Sequence, residues 1–355
     1  MVFEWYSSMA RLFKHYLNKY IMKKSAEGTF VPGTLKGKTV VITGASSGVG
    51  YAAALAFARQ GARLVLAARR EQALNDVVKQ CEEAGALALA VKTDVTVSGD
   101  VNCLAAKAFE FGGSIDVWVN NAGVLAGGGF SETPIEIHEQ VIRTNLMGYV
   151  FGAHAALPYF KKQRSGVLIN NISVGGWFPT PYMVSYSASK FGLRGFSESL
   201  QAELSKWPGI HVCNLFPAFL DTPGIQHAGN YTGAALKPAP PVYDPQRVAR
   251  AMVSVARFPR KSVTVGSAST FLRLAHFFLP VLSGAITAKV MEAYFRNAES
   301  TAPTSGNILV PVDFGTSIHG GWSKAVEPGK KKMVAAMLIG GLLAGFFIVS
   351  KSGRK

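Results

Sequence analysis

One stretch limits the folds open to this chain more than any other. Thr39-Val40-Val41-Ile42 is a buried-strand type of run, and Thr43-Gly44-Ala45-Ser46-Ser47-Gly48-Val49-Gly50 follows it without a gap. An alanine-rich helical stretch then continues to Arg59. Strand, glycine loop and helix in that order place backbone N–H groups at a helix N-terminus, where the dipole favours negative charge. The glycines let the backbone come close to a pyrophosphate. The next apolar run, Gly61 to Leu66, returns as a second strand, the context that makes a glycine motif of this kind credible.

The second strand ends at Ala67-Ala68-Arg69-Arg70. An acid at this point would hold the ribose 2′-hydroxyl of NAD, whereas arginine accommodates the 2′-phosphate of NADP. No Asp or Glu stands there and two arginines do, so NADP(H) is the expected cofactor. Residues 71–85 are helical in composition, and a third strand from Ala86 to Val91 leads to Thr93-Asp94-Val95. A helix at 98–112 precedes a fourth strand, Ile115 to Val119, which runs into Asn120-Asn121-Ala122-Gly123. A helix at 134–160 carries Asn145. The fifth strand, Gly166 to Ile172, ends at Ser173, and the sixth, Ile210 to Leu215, ends at Pro217-Ala218. Ser262 to Val265 reads as the last strand. Strands alternating with helices at this rhythm predict an α/β fold with a doubly wound parallel sheet of about seven strands. Polar and functional side chains gather at the strand ends where such sheets bind ligands.

Tyr186 and Lys190 open the helix after the fifth strand, one turn apart on the same face. Bringing a phenol from about pH 10 to near neutrality requires roughly three units, or about 4 kcal/mol. One ammonium about 4 Å away supplies on the order of 4 kcal/mol at an effective dielectric near 20. The pair is physically adequate for proton transfer, although the spacing alone is common.

In order along the chain, these motifs resemble the short-chain dehydrogenase/reductase family, in its compact single-domain branch. The resemblance covers about residues 37–268. It rests on Thr43-Gly44-x-x-x-Gly48-x-Gly50, Asp94, Asn120-Asn121-Ala122-Gly123, Asn145, Ser173 and Tyr186-x-x-x-Lys190. It implies a Rossmann-type domain in which Tyr186 is the general acid or base and Lys190 lowers its pKa and holds the nicotinamide ribose. Ser173 would hydrogen-bond the substrate oxygen, and Asn145 would hold the water linking Lys190 to solvent. The cofactor would meet Thr43, Gly44, Ser46, Ser47, Gly48, Val49, Gly50, Arg69, Arg70, Asp94, Val95, Asn121, Ala122, Gly123, Tyr186, Lys190, Pro217 and Thr222. Pro217-Ala218 departs from the Pro-Gly that the family usually has at this point. The glycine spacing differs from that of the sugar-nucleotide epimerase branch.

The net charge of +16 is concentrated at the two ends. Residues 1–24 hold Arg11, Lys14, Lys19, Lys23 and Lys24 against Glu4, and residues 324–355 hold seven basic residues against Glu327. A nucleic-acid binder would more often carry a basic stripe with aromatics inside its folded domain. Basic ends beside apolar runs point to membrane lipid instead. Trp5, Met9, Leu12, Phe13, Tyr16, Leu17, Tyr20 and Ile21 recur at helical spacing with basic residues between them, which predicts an amphipathic helix in the segment 1–36. Met333 to Ser350 is uncharged and mostly apolar. As a helix it would reach about 27 Å against a hydrocarbon core of about 30 Å, so residues 330–355 are expected to form a transmembrane tail. Gly341-x-x-x-Gly345 in that tail is a spacing that packs two membrane helices together and admits a homodimer. Three scattered cysteines, Cys81, Cys103 and Cys213, suit a reducing compartment and a cytosol-facing domain, and no histidine spacing suggests a metal.

Between domain and tail, residues 269–298 read as a broken apolar helix pair and 299–329 as a Ser-, Thr-, Gly- and Pro-rich linker. Residues 223–245 read as a loop over the substrate. Leu125, Val174, Trp177, Phe178, Tyr182 and Phe219 suggest a large apolar pocket. The leading expectation is an NADP(H)-dependent oxidoreductase acting on a hydrophobic small molecule (lipid-, steroid- or retinoid-like) at a membrane. The competing one is a nonenzymatic NADP(H)-binding scaffold or sensor, which would need the glycine loop but not Asn145, Ser173, Tyr186 and Lys190.

Overall fold

A computed structural model describes residues 34–324. The amphipathic segment at 1–24 and the apolar run at 333–350 lie outside the described residues. Among the described residues, no helix is long and apolar enough to cross a membrane.

Seven strands form one parallel sheet: β1 (Thr39–Thr43), β2 (Arg63–Ala68), β3 (Ala88–Lys92), β4 (Val117–Asn120), β6 (Gly166–Asn171), β7 (Ile210–Pro217) and β9 (Ser262–Val265). Two short strands, β5 (Ala126–Gly128) and β8 (Gly229–Tyr231), pair with each other apart from it. The order across the main sheet is β3-β2-β1-β4-β6-β7-β9. The strands are apolar almost throughout because both faces are covered, as parallel sheets require. Successive residues therefore feed two different cores. Val40, Ile42, Leu64, Leu66, Val117 and Val119 point to one face, and Val41, Val65, Ala67 and Trp118 to the other. The first face packs on α1 (Gly48–Ala58), α2 (Glu71–Glu83) and α7 (Gln246–Arg257). The second packs on α3 (Ser98–Gly112), α5 (Gly148–Gln163) and α6 (Val184–Glu203).

The strand order reverses between β1 and β4, which opens a crevice at their C-terminal ends. The helix expected at 134–160 is present but interrupted. It consists of α4 (Ile135–Ile142), a π-helical turn over Arg143–Met147, and α5. Asn145 lies in that widened turn, a feature often found at functional sites. The apolar pair is α8 (Ser267–Phe278) and α9 (Pro280–Asn297), separated where Pro280 cannot continue the first helix.

Residues 299–324, read from composition as a linker, have little regular structure but are bound to the domain. Thr304 bridges Asn230, Ser300 bridges Ala234, and Ile308 is fully buried. Their composition signals the lack of regular structure, not the lack of contacts, since main-chain carbonyls bind whatever donors they meet.

Candidate active site

The crevice is built from loops that follow β1, β4, β6 and β7. After β1 the chain turns through the glycine loop, with Gly44 and Gly48 at positive φ, into α1. Ser47 precedes α1 in extended conformation, makes no side-chain cap, and no acid lies in the first turn. The positive end of this helix is thus not neutralised by its own sequence. A Cβ on Gly50 would stand 2.1 Å from the Gly44 carbonyl oxygen, so the loop closes on itself at this point.

Thr43 and Asn121 lock the loop to the end of β4. Thr43 Oγ1 accepts from the Asn121 and Ala122 N–H groups at 3.0 and 3.2 Å. Asn121 Nδ2 donates to the Thr43 and Gly44 carbonyls at 3.1 and 3.2 Å. Two residues assigned to cofactor binding therefore brace the cradle as well. Ser46 and Val49 are buried within it. Val95 is buried beneath α5, and Asp94 Oδ1 accepts from Thr96 N and Oγ1. Pro217 closes β7 opposite Val265, and the Thr222 side chain packs beside Gly48.

Arg69 and Arg70 do reach toward the crevice, but their guanidinium groups are engaged by the chain's own backbone. Arg69 donates to the carbonyls of Asn307 and Ile308. Arg70 donates to those of Val312 and Phe314 at 3.1 and 2.8 Å, and to Ser46 Oγ at 3.4 Å.

Lys190, Tyr186, Ser173 and Asn145 converge from α6, the loop after β6 and the π turn. Lys190 is buried, and its Nζ donates to the Asn171 carbonyl at 3.5 Å. The same nitrogen lies 5.2 and 5.6 Å from the ring centroids of Tyr149 and Tyr186. Ser173 hydrogen-bonds Tyr186. Its own backbone sits at φ 107°, ψ 157°, a region that a residue with a Cβ occupies only when its surroundings impose it. Asn145 Oδ1 accepts from Val124 N at 2.8 Å, and its Nδ2 donates to Val124 O and Ser189 Oγ at 2.9 and 3.2 Å. A Cβ on Gly123 would lie 3.2 Å from Asn145 Oδ1 and 3.9 Å from Lys190 Nζ, which places these three residues together.

The electrostatics differ from the simple expectation of a lysine lowering a phenol. Burial raises Tyr186, and only the Ser173 hydrogen bond pulls it back. Burial also lowers Lys190 to about 7. The ammonium lies over ring faces and is itself partly deprotonated near neutrality, so it lends the phenolate little charge in this arrangement. Unfolded, the lysine titrates near 10.5. Between these two values the unfolded chain binds more protons than the native one, so native stability rises with pH across that window. The wild type should gain about 2–3 kcal/mol between pH 7 and 9 from this group. Lys190→Met should remove that slope, as read from urea midpoints at the two pH values.

Several contributors escaped the sequence reading. Tyr149 Oη donates to the same Asn171 carbonyl that Lys190 uses, at 2.9 Å, and burial keeps it a neutral phenol. Asn171 Nδ2 donates to Asn121 Oδ1 at 2.8 Å, tying the proton site to the glycine loop. Asn120, Asn170 and Ser197 form a buried chain beneath the crevice. Tyr149 follows Asn145 by four residues, a spacing that could have marked it.

The sequence profile of the family described as short chain dehydrogenase matches residues 38–230. An uncharacterized oxidoreductase of Bacillus subtilis (strain 168), YxnA, is 32% identical over 322 residues, 87% of this chain and 90% of that protein. The chain belongs to the short-chain dehydrogenase family. This short-chain dehydrogenase is an oxidoreductase with a Rossmann-type seven-stranded sheet. It is also 34% identical over 197 residues to 11-beta-hydroxysteroid dehydrogenase A of Sesamum indicum, covering 55% of this chain and 56% of that one. An alcohol dehydrogenase from the archaeon Thermococcus sibiricus, complexed with 5-hydroxy-NADP, superposes with a TM-score of 0.57 at 27% identity, over 65% of this chain and 97% of that one. A metagenomic short-chain oxidoreductase in complex with NADP gives a TM-score of 0.57 at 27% identity, over 66% of this chain and 98% of that one.

Proposed function

We propose that this short-chain dehydrogenase uses NADP(H) to interconvert a carbonyl and a hydroxyl group on a hydrophobic substrate at a membrane. The observation that carries the redox part is the convergence of Ser173, Tyr186, Lys190 and Asn145 beside a helix N-terminus that has no side-chain cap and an arginine pair. The crevice suits a dinucleotide. The Gly44–Gly50 loop admits a close approach to α1, and Arg69 and Arg70 suit a 2′-phosphate. Two solved relatives hold NADP or a derivative of it. When bound, the nicotinamide supplies or accepts the hydride.

The chain's own residues handle the proton. In the reductive direction Tyr186 Oη delivers its proton to the carbonyl oxygen as the carbon gains hydride, and Ser173 Oγ stabilises the developing charge on that oxygen. Lys190, near its own titration midpoint, is poised to return a proton to Tyr186, and Asn145 stands beside it. Tyr186 would have to fall well below its buried value when it acts as the base for alcohol oxidation. Burial thus holds Tyr186 as the neutral phenol, the form that donates the proton in reduction.

The hydrophobic, membrane-facing part draws on different residues. At the bend between α8 and α9, Phe277, Phe278 and Val281 are 76%, 70% and 84% exposed. The same helix pair reaches the loop after Ser173. Arg273 stacks on Trp177, His276 meets Phe178, and Glu292 accepts from Tyr182 Oη. An apolar bend joined to the substrate-side loop suits a substrate taken from lipid. The run at 333–350 would anchor the domain, with the catalytic part on the cytosolic side. The test is to supply the full chain in lipid vesicles with NADPH and a panel of lipid, steroid and retinoid carbonyls. Loss of one carbonyl, matched by its alcohol and by oxidised cofactor, is expected. Turnover confined to small water-soluble aldehydes would overturn the hydrophobic assignment.

A further inference from the structure

Residues 305–323 cross the crevice from one candidate phosphate position to the other. At the ribose end, carbonyls of Asn307, Ile308, Val312 and Phe314 accept from Arg69 and Arg70. At the start of α1, the Gly48 N–H donates to the Ser317 carbonyl at 3.0 Å. The donors suited to a 2′-phosphate and to a pyrophosphate are both taken by main-chain oxygens of one segment. Its far end is clamped by Asp221, which is 2% exposed. The Asp221 carboxylate accepts from the N–H groups of Gly320, Trp322 and Ser323 and from Ser323 Oγ. Trp322 Nε1 donates to the Thr222 carbonyl at 3.0 Å. Midway, Gly315 runs so close to His227 that a Cβ there would stand 2.1 Å from Nε2. Ile318 packs on the core beside α1. The segment is fitted along its length.

We propose that residues 305–323 are a gate on the cofactor crevice, whose carbonyl oxygens hold the phosphate-binding donors until NADP(H) displaces them. This rests on the NADP(H) reading above. A carbonyl oxygen and a phosphate oxygen both need the donor's proton and repel one another, so the two occupants compete for Arg69, Arg70 and the Gly48 N–H. The gate lifts when the Asp221 end loosens, so the strength of that clamp sets how fast the arginines and the Gly48 N–H are released. Ile308, fully buried at the ribose end, keeps the strap tethered so that it recloses when the cofactor leaves.

The experiment follows NADPH binding to the full chain by stopped-flow fluorescence and, separately, chymotryptic cleavage after Phe314, whose side chain is 55% exposed. In the wild type the observed binding rate should level off at high NADPH, at the rate of strap opening. Asp221→Asn and, as a milder second variant, Trp322→Phe should raise that ceiling. The increase for Asp221→Asn should be about tenfold, the factor that loss of charge-assisted hydrogen bonds commonly carries. NADPH should speed cleavage after Phe314. Binding rates that are linear in NADPH and the same in all three proteins would overturn the gate while leaving the cofactor reading intact, as would protection of Phe314 by NADPH. Failure of the wild type and both variants to bind NADPH at all would overturn the cofactor reading and the gate with it.

Discussion

Tyr186→Phe should reduce turnover on the order of 10²–10⁴-fold, the range that a positioned proton donor contributes, with NADPH affinity within about twofold of wild type. The separation follows from where the side chain lies. Its ring packs against the small cluster of Val124, Ala126, Ile137, Val141 and Ile308, and phenylalanine preserves that packing. Only the oxygen is lost. Ser173 Oγ still accepts from Gly175 N at 3.2 Å, so removal of the phenol does not strand it. Lys190 keeps the Asn171 carbonyl. The variant should melt close to wild type, bind NADPH in a fluorescence titration and fail in single-turnover hydride transfer. Turnover near the wild-type rate would mean that another group moves the proton, and the assignment of Tyr186 would be withdrawn.

How much of this site was legible in the sequence depended on the range of the signal. The seven strands were readable because each is a short apolar run at the rhythm of alternating strands and helices, and the glycine loop because strand and helix flank it directly. Tyr186 and Lys190 were readable as a pair one helical turn apart, and Asn145 and Ser173 only through the order of motifs that resembles the family. What stayed hidden was made by distant contacts. The tie from Asn171 to Asn121 spans 50 residues, and the Arg70 contact with Phe314 spans 244. The backbone carbonyls that receive Arg69 and Arg70 carry no sequence signature, so a composition of Ser, Thr, Gly and Pro read as a linker. The depression of Lys190 was also invisible, since burial at 190 depends on Tyr149 and the end of β6 closing over it.

The dependence of both halves of the site on one junction gives the other large effect. Gly50→Ala should abolish NADPH binding and destabilise the domain by about 1–3 kcal/mol or more, in the manner of an overpacked core. The new Cβ would stand 2.1 Å from Gly44 O, 2.8 Å from Gly44 C and 2.7 Å from Asn121 Nδ2. Two of these atoms are backbone in a loop already fixed by Thr43, so the strain passes to the side chain that can move. Asn121 is that side chain, and it holds Asn171, whose carbonyl seats both Lys190 and Tyr149. One methyl group should therefore disturb the anion cradle and the lysine seat together. Lys190 should then become more accessible to amine-directed labelling. Gly195→Ala supplies the contrast, since it lies within α6 with nothing within 4 Å of the added Cβ. That change should leave binding intact and raise stability by about 0.5–1 kcal/mol, the usual gain for replacing a helix-interior glycine. Opposite signs for two Gly→Ala substitutions, read from denaturant midpoints and NADPH titration, are what a cradle closed against its own backbone requires. Similar small effects at both sites would mean that the loop yields and that its closeness to Asn121 does not couple the two halves.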